Sequence, residues 1–168
     1  MNRSIEFSME SETQIKEIDA LDKKIIQLLT EDGRMSAGKI AEQLNITPPT
    51  VRSRIENLIT SGFMRIAGLV NAFKAEFLTI AIVGINLEMH QQLDEKIEQI
   101  SNLSQVHWAA VVTGKYDIIV EIATTEGIRG IYRFLIEDLP RVGGIRSTES
   151  FTVMKARNKW LLLQNGLK

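Results

Sequence analysis

The pattern that most constrains this chain lies in residues 36–66, SAGKIAEQLNITPPTVRSRIENLITSGFMRI. Its apolar residues recur at helical spacing in two short stretches on either side of Asn45. Ser36 is a favourable N-cap for the first stretch, and Asn45 can adopt the left-handed conformation that ends a helix. Thr47 is a second N-cap, and Pro48 occupies the first helical position, where its missing N–H costs nothing. The pattern predicts a helix-turn-helix.

The second of these helices is predicted to expose a polar face. It buries Val51, Ile55 and Leu58, which are spaced i, i+4 and i+7. Short polar side chains on the opposite face let a helix approach base edges in a major groove, while flanking arginines reach phosphates. The candidate DNA-binding residues are Thr47, Pro49, Thr50, Ser53 and Asn57, with Arg52 and Arg54 as the phosphate contacts. The alternative is an ordinary helical hairpin with a solvated face.

A first helix is predicted before this pair and a strand after it. Asp19, with Asp22 three residues later, caps a helix that Gly33 ends. The apolar stripe of that helix comprises Leu21, Ile25, Leu28 and Leu29. After Gly62, residues 63–66 begin a strand that would form a wing. Three helices and a wing would make a small domain with its own core.

The second half of the chain alternates strands and helices. Its predicted elements are a strand at 77–87, a helix at 89–100, strands at 106–112 and 116–123, a helix capped by Thr125 and ending near Pro140, and a strand at 145–154. This order, βαββαβ, is the ferredoxin-like pattern. The predicted fold class is α+β, with an N-terminal winged helix-turn-helix domain followed by a ferredoxin-like βαββαβ domain.

These elements predict a two-domain organisation with short flanking segments. The predicted parts are a polar N-terminal arm at 1–17, the winged helix-turn-helix domain at 18–69, a linker strand at 70–75, the ferredoxin-like domain at 76–155 and a C-terminal tail at 156–168.

The predicted sheet is apolar on both faces. In its first strand Ile80 and Ile82 share one face, and Val83 and Ile85 share the other. Helices cover only one face of a ferredoxin-like sheet, so the other face needs a second cover, most commonly an identical partner. The sequence therefore predicts a homodimer that could assemble further, but it does not say whether Ile82 or Ile119 faces the partner.

Charge is distributed unevenly along the chain. The net charge is only −1, yet residues 1–32 carry four Lys/Arg against eight Asp/Glu, a balance of −4. Residues 33–66 carry five against two, a balance of +3. The basic excess therefore falls on the segment predicted to contact double-stranded DNA.

The sequence predicts a cytoplasmic protein without a membrane partner. It contains no cysteine, which excludes disulfides and thiol nucleophiles and fits a reducing compartment. The first residues lack the apolar segment of a signal peptide, and the longest apolar run, 77–87, is too short to span a bilayer.

No constellation of catalytic residues is visible in the sequence. His90 and His107 lie in different local contexts, and no ligand spacing connects them to acidic residues. The glycines at 143 and 144 precede a strand, so they do not form a phosphate-binding loop that opens a helix. The chain is predicted not to be an enzyme, with no catalytic residue, no metal site and no cofactor.

Taken together, these features resemble the leucine-responsive/asparagine regulator (Lrp/AsnC) family of transcription regulators. The resemblance rests on three segments, IDALDKKIIQLLTEDGR, ITPPTVRSRIENLITSGF and VVTGKYDIIVEI, and covers residues 18–155. It implies that the first domain binds operator DNA as dimers and higher assemblies. It also implies that the second, a regulation of amino acid metabolism (RAM) domain, assembles subunits and binds a small effector, usually an amino acid.

Two other functions remain open at this stage. Some relatives with this two-domain build are haem-precursor decarboxylases, which use a cluster of basic and histidine side chains on a tetrapyrrole. A metabolite-sensing assembly module without DNA binding is the second alternative. The two scattered histidines argue against the first, and the arginines of the exposed helix argue against the second.

The resemblance also suggests an effector site. The turn at 113–117 matches the family's Gly-x-Tyr-Asp loop, which lines an amino-acid site between subunits. The candidate effector-binding residues are Thr113, Gly114, Tyr116 and Asp117, completed by Thr148 and Ser150 at alternate positions of the last strand. A plain hairpin turn, in which Asp117 caps backbone amides and Gly114 supplies a positive φ, is the alternative.

Overall fold

The computed structural model describes residues 18–75 and 77–162. They belong to two compact units that divide between Ala67 and Gly68. The predicted N-terminal arm lies outside the described residues, as does the end of the predicted tail.

Over residues 18–67 the first unit has three helices, α1 (Ala20–Glu31), α2 (Ala37–Leu44) and α3 (Pro48–Thr60). Asp19, Ser36 and Thr47 each accept a hydrogen bond from the backbone N–H three residues later, at 2.8, 3.2 and 3.4 Å. Asn45 ends α2 at a φ of 53°, in the left-handed region. The predicted caps and the turn between α2 and α3 are therefore confirmed.

The core of this unit lies between all three helices. Its buried side chains are Ile25, Leu29, Ile40, Ala41 and Val51. Burying one such aliphatic side chain contributes about 1.5–3 kcal/mol. This packing holds α3 with one face inward.

The wing predicted at residues 63–66 is wrong for this structure. The N–H of Met64 donates to the carbonyl of Leu58 at the end of α3, at 3.0 Å, and Phe63 and Ile66 are exposed. The apolar pattern of this segment is that of a strand, but residues 18–62 contain no strand to pair with it. The segment continues as irregular chain, and the first strand begins at Val70.

The second unit contains the remaining elements. They are β1 (Val70–Asn71), β2 (Thr79–Leu87), α4 (Leu93–Ser101), β3 (Val106–Val111), β4 (Ile118–Thr124), α5 (Ile128–Arg133), β5 (Ile145–Thr152) and β6 (Trp160–Leu161). A 3₁₀ turn precedes α4, and a π turn followed by a 3₁₀ turn extends α5. Strands β2 to β5 form an antiparallel sheet in the order β3-β4-β2-β5. The predicted βαββαβ order is confirmed.

The helices α4 and α5 pack on one face of this sheet, called here the helix face. The core between them includes Val83, Ile85, Ile100, Ile118, Val120 and Phe134. α5 lies very close to β4: a Cβ on Gly130 would come within 2.1 Å of the Thr124 Oγ1, so this approach requires a glycine. The predicted Thr125 cap is wrong: the helix follows Gly127, which has a φ of 63° and supplies no side chain.

The opposite face of the sheet, called here the open face, is covered at one end by described residues. β1 pairs with β6 through Val70 and Leu161, so the predicted linker strand and part of the predicted tail form a small sheet of their own. They enclose a second cluster that contains Ala72, Ile80, Ala123 and Leu161. Residues 70–75 and 156–162 therefore belong to the fold of the second unit.

Within the described residues, no helix is long and apolar enough to cross a membrane.

Candidate DNA-binding and effector-binding surfaces

The outward face of α3 is polar, as predicted. Thr47, Pro49, Thr50, Arg52, Ser53 and Asn57 are exposed, whereas Val51 and Leu58 are buried. The hydroxyls of Thr47 and Thr50 are hydrogen-bonded to each other at 2.8 Å, which fixes both side chains at the start of the helix. All of these side chains, including that of Thr50, are exposed to a ligand.

Arg54, which the sequence predicted to contact phosphate, is bonded in the structure to two carboxylates. Its Nη1 donates to the Asp19 Oδ2 at 2.6 Å and to the Asp22 Oδ1 at 2.9 Å. Asp22 is buried, and the Arg54 side chain is 30% exposed. The hydrogen bond from the N–H of Asp22 lowers the pKa of Asp19 most, and the hydrogen bond from Arg54 lowers it further. The carboxylates of Asp19 and Asp22 raise the pKa of Arg54. Arg54 therefore connects α3 to the start of α1.

The other basic side chains of this segment are exposed. They are Arg34, Lys39, Arg52 and Arg65. Among the described residues, no carboxylate lies within ion-pair distance of Arg52. Arg52 is therefore a freely available cation on the outward side of α3.

In the second unit, the turn at 113–117 joins β3 to β4 and is bonded through Asp117 to the end of β2 and the residues after it. Gly114 has a φ of 123°, which only glycine adopts without strain. The Asp117 Oδ2 accepts a hydrogen bond from the N–H of Leu87 at 2.8 Å, and its Oδ1 lies 3.2 Å from the His90 Nδ1. Asp117 thus accepts a backbone N–H, as in the predicted alternative to ligand binding, but that N–H belongs to β2 and not to the turn itself.

Tyr116 lies on the open face. Its ring covers Gly84, where a Cβ would come within 2.6 Å of the ring atoms. The Tyr116 hydroxyl and the Lys115 ammonium group both donate to the Glu149 Oε2. Glu149 raises the pKa of Lys115 to about 12, and its own pKa is lowered by Lys115 and Tyr116. Neither Lys115 nor Glu149 was among the predicted effector residues: Lys115 precedes Tyr116 in the chain, and the register of β2 and β5 places Glu149 opposite Gly84, beneath the Tyr116 ring.

Thr148 and Ser150 lie on the helix face. They are paired in register with Ile85 and Val83, whose side chains are buried under the helices. Thr148 and Ser150 are themselves exposed, because β5 is an edge strand. Thr148 lines a pocket of about 290 Å³ that also includes Leu139, Gly144 and Arg146. The predicted effector residues are therefore divided between two faces of one sheet.

Ile82 and Ile119 both belong to the open face. Ile82 is paired with Glu121, and Ile119 with Gly84, so all four positions share one side of the sheet. Ile82 and Ile119 are partly buried, while Trp108 and Phe151 beside them are 44% and 48% exposed. The open face thus presents an apolar surface beyond the part that β1 and β6 cover.

The two histidines lie in separate environments. His90 is exposed beside Asp117, whereas His107 is half-buried, and burial lowers its pKa. No group of three or more His, Asp or Glu side chains within the described residues could hold a metal ion.

Comparisons with known proteins agree with both units. Residues 18–59 match the AsnC-type helix-turn-helix domain, and residues 80–159 match the Lrp/AsnC ligand binding domain. An uncharacterised HTH-type transcriptional regulator of Pyrococcus abyssi is 34% identical over 145 residues, which cover 86% of this chain and 90% of that protein.

Two solved structures share the fold. E. coli AsnC matches with a TM-score of 0.70 and 23% identity, over 88% of this chain and 99% of that one. A transcriptional regulator of Neisseria meningitidis in complex with L-Met matches with a TM-score of 0.68 and 20% identity, over 85% and 94%.

A helix-turn-helix unit followed by a ligand-binding ferredoxin-like unit defines a class of two-domain transcription regulators. Within that class, this chain belongs to the Lrp/AsnC family. The family assignment made from the sequence is confirmed, as is the α+β fold class.

Proposed function

We propose that this protein is a sequence-specific regulator that reads operator DNA with α3 and responds to an amino-acid effector as a homodimer. The observation that carries the proposal is the exposed polar face of α3. Thr50, Ser53 and Asn57 can present hydroxyl and amide groups to base edges there, and the small exposed Pro49 allows close approach. The cap at Thr47 and the buried Val51 and Leu58 hold this face outward.

In this proposal Arg52 supplies a phosphate contact. It is exposed, and among the described residues no acidic side chain neutralises it. An arginine that neutralises one phosphate contributes about 0.9 to the steepness with which the logarithm of the association constant falls with the logarithm of the salt concentration. It adds affinity for all sequences alike, whereas Ser53 and Asn57 would set the sequence preference.

Fluorescence anisotropy with a labelled duplex from the region upstream of the protein's own gene tests this assignment. We expect Arg52→Ala to weaken binding to specific and nonspecific duplexes alike and to reduce the salt slope by about one unit. Ser53→Ala should instead change the ratio of the affinity for the specific duplex to the affinity for the nonspecific duplex. Arg157→Ala, an exposed arginine of the second unit, is the matched control. Unchanged affinity in Arg52→Ala would contradict the proposed DNA face.

The effector part of the proposal rests on the second unit. The match to a ligand binding domain supports a small-molecule site, and the L-Met complex of the Neisseria meningitidis structure supports an amino acid. Tyr116 and Thr148 lie on opposite faces of the sheet, so one protomer does not enclose all the candidate residues. We therefore propose a site between protomers of an assembly beyond the dimer, in which Tyr116 and Asp117 of one protomer lie opposite Thr148 or Ser150 of a protomer other than its open-face partner.

Thermal unfolding with each of the twenty amino acids tests the effector proposal. A ligand at one hundred times its Kd should add about 2.7 kcal/mol to the free energy of unfolding. Asp117→Asn keeps an acceptor for the N–H of Leu87 but removes the charge that would bind an α-ammonium group, so we expect it to abolish this gain. Asp94→Asn, at an exposed aspartate of α4, is the control. An undiminished response in Asp117→Asn would exclude that residue from the site.

A further inference from the structure

We infer that Arg54 is a positioning residue, which orients α3 for DNA through the two carboxylates at the start of α1 and does not bind phosphate itself. The inference rests on the proposed DNA-binding function and concerns how α3 is held in place for it. The group formed by Arg54, Asp19 and Asp22 is called here the α1–α3 clamp.

The clamp is built from an N-cap. The Asp19 Oδ1 accepts the N–H of Asp22 at 2.8 Å and thereby starts α1. Its other oxygen, Oδ2, accepts from the Arg54 Nη1 at 2.6 Å, and the same nitrogen donates to the Asp22 Oδ1 at 2.9 Å. Asp22 is 7% exposed, so its carboxylate has little access to water and depends on these partners. One guanidinium nitrogen therefore bridges two acids.

The clamp is the directional link between α1 and α3. The two Arg54 bonds are the only side-chain hydrogen bonds between these helices among the residues described, and they join positions 35 and 32 residues apart in sequence. Burial of Val51 in the core turns one face of α3 inward. Hydrogen bonds depend on angle as well as distance, so in the inferred role the clamp adds to this packing a restraint on the rotation of α3 about its axis.

The same bonds make Arg54 a poor phosphate ligand. A phosphate that approaches its guanidinium group would meet two carboxylates bound to the same nitrogen, and the three side chains together carry a net charge of −1. Arg52, two residues earlier, is exposed and has no acid within ion-pair distance among residues 18–75 and 77–162. The two arginines of α3 thus have separate roles, Arg52 toward the DNA and Arg54 toward α1.

The two roles for Arg54 predict opposite effects of neutralising its partner. If Arg54 bound phosphate, Asp22→Asn would release it and remove a negative charge, so DNA affinity would rise. If Arg54 positions α3, Asp22→Asn weakens the clamp, and we expect affinity to fall about tenfold with the salt slope unchanged. Asp19→Asn, at the more exposed acid, should act in the same direction more weakly. Asp94→Asn in the second unit is the control and should have no effect.

A charge exchange provides the second arm of the experiment. We expect the double variant Asp22→Arg/Arg54→Asp to bind operator duplex more tightly than either single variant, because it restores an ion pair between α1 and α3. A phosphate role predicts that the double variant binds no better than Arg54→Asp, since both place a negative charge at position 54. Anisotropy should be measured over a salt series at a temperature where circular dichroism shows every compared variant to be folded.

Each result bears on the inference separately from the proposed function. If the unmodified chain fails to bind duplex DNA, the proposed function fails. If the unmodified chain binds and Asp22→Asn binds more tightly, the positioning role is overturned. A lowered melting temperature in Asp22→Asn with an unchanged Kd would also overturn it, because the clamp would then serve stability alone. A fall in affinity, together with rescue by the charge exchange, supports it.

Discussion

At the scale of single residues, the contact between Gly84 and Tyr116 shapes the open face of the sheet. The Tyr116 ring occupies the space that a side chain at position 84 would need. The same placement brings the Tyr116 hydroxyl to Glu149, which also accepts from Lys115. Glycine is therefore required at position 84 because it has no side chain to collide with the Tyr116 ring. Its backbone conformation is not the reason, since it lies in ordinary strand pairing with Ile119.

We predict that Gly84→Ala destabilises the second unit by about 1–3 kcal/mol, because the added Cβ displaces the ring or strains the strand. Gly68→Ala, where no atom lies within 4 Å of the added Cβ, is the control. In urea unfolding, Tyr116→Ala should remove most of the penalty of Gly84→Ala, so that the two substitutions are strongly non-additive. Strictly additive effects would show that the ring is not the obstacle.

The residues that the sequence predicted well are those whose partners are local. The caps at Asp19, Ser36 and Thr47 depend on an N–H three residues away, so composition and spacing suffice to find them. The partners of Arg54 lie more than thirty residues earlier, and helical spacing shows only that Arg54 flanks the polar face. Its ion pairs depend on how α3 crosses α1, which no local pattern contains.

At the scale of elements, β6 joins the C-terminal segment to the sheet through a charge pair as well as through β1. The Lys159 Nζ is bonded to the Glu121 Oε2, and the Glu121 side chain is 4% exposed. The other oxygen of Glu121 has no hydrogen-bond partner among the described residues. A buried carboxylate of this kind depends on its one cation, because few other groups compensate its loss of hydration.

We predict that Lys159→Met destabilises the second unit by about 3 kcal/mol or more, because it leaves the Glu121 charge buried without a partner. Lys155→Met, at an exposed lysine of the same segment, should cost far less. Adding Glu121→Gln to Lys159→Met should recover part of the loss, since a neutral amide is cheaper to bury than a carboxylate. Equal melting temperatures for the two lysine variants would show that the ion pair between Lys159 and Glu121 does not stabilise the second unit.

The predicted strands were wrong where the sequence pattern does not show whether a partner strand is present. Residues 63–66 have the apolar character of a strand. A strand forms only where a neighbouring backbone can exchange hydrogen bonds with it, and the described part of the first unit, residues 18–67, contains no other strand. β6 was missed for the converse reason. The segment around Trp160 is short and follows a polar stretch, and it becomes a strand because β1 lies beside it.

At the scale of the whole molecule, the open face divides into a covered and an uncovered part. β1 and β6 enclose Ile80 and Ala123 at one end, which the sequence did not predict. The uncovered part carries Ile82, Ile119 and the exposed Trp108. The sequence left open which of the two isoleucines faces a partner, and the register shows that both point away from the helices. Part of the second cover that the two-sided apolar pattern called for is supplied by β1 and β6 of the same chain, and the identical partner stays a prediction for the rest.

We predict that the unmodified protein is at least a dimer through the uncovered part of the open face. Ile119→Glu would place a charge against apolar surface in such an interface, which costs several kcal/mol, on the order of the penalty for an unpaired buried charge. Light scattering at micromolar concentration should then show dissociation to monomers, with the ferredoxin-like fold retained by circular dichroism. Ile128→Glu, at an isoleucine of α5 that is 65% exposed, should leave the dimer intact. A soluble monomer for the unmodified chain, or equal masses for the two glutamate variants and the unmodified protein, would assign the open face some other role.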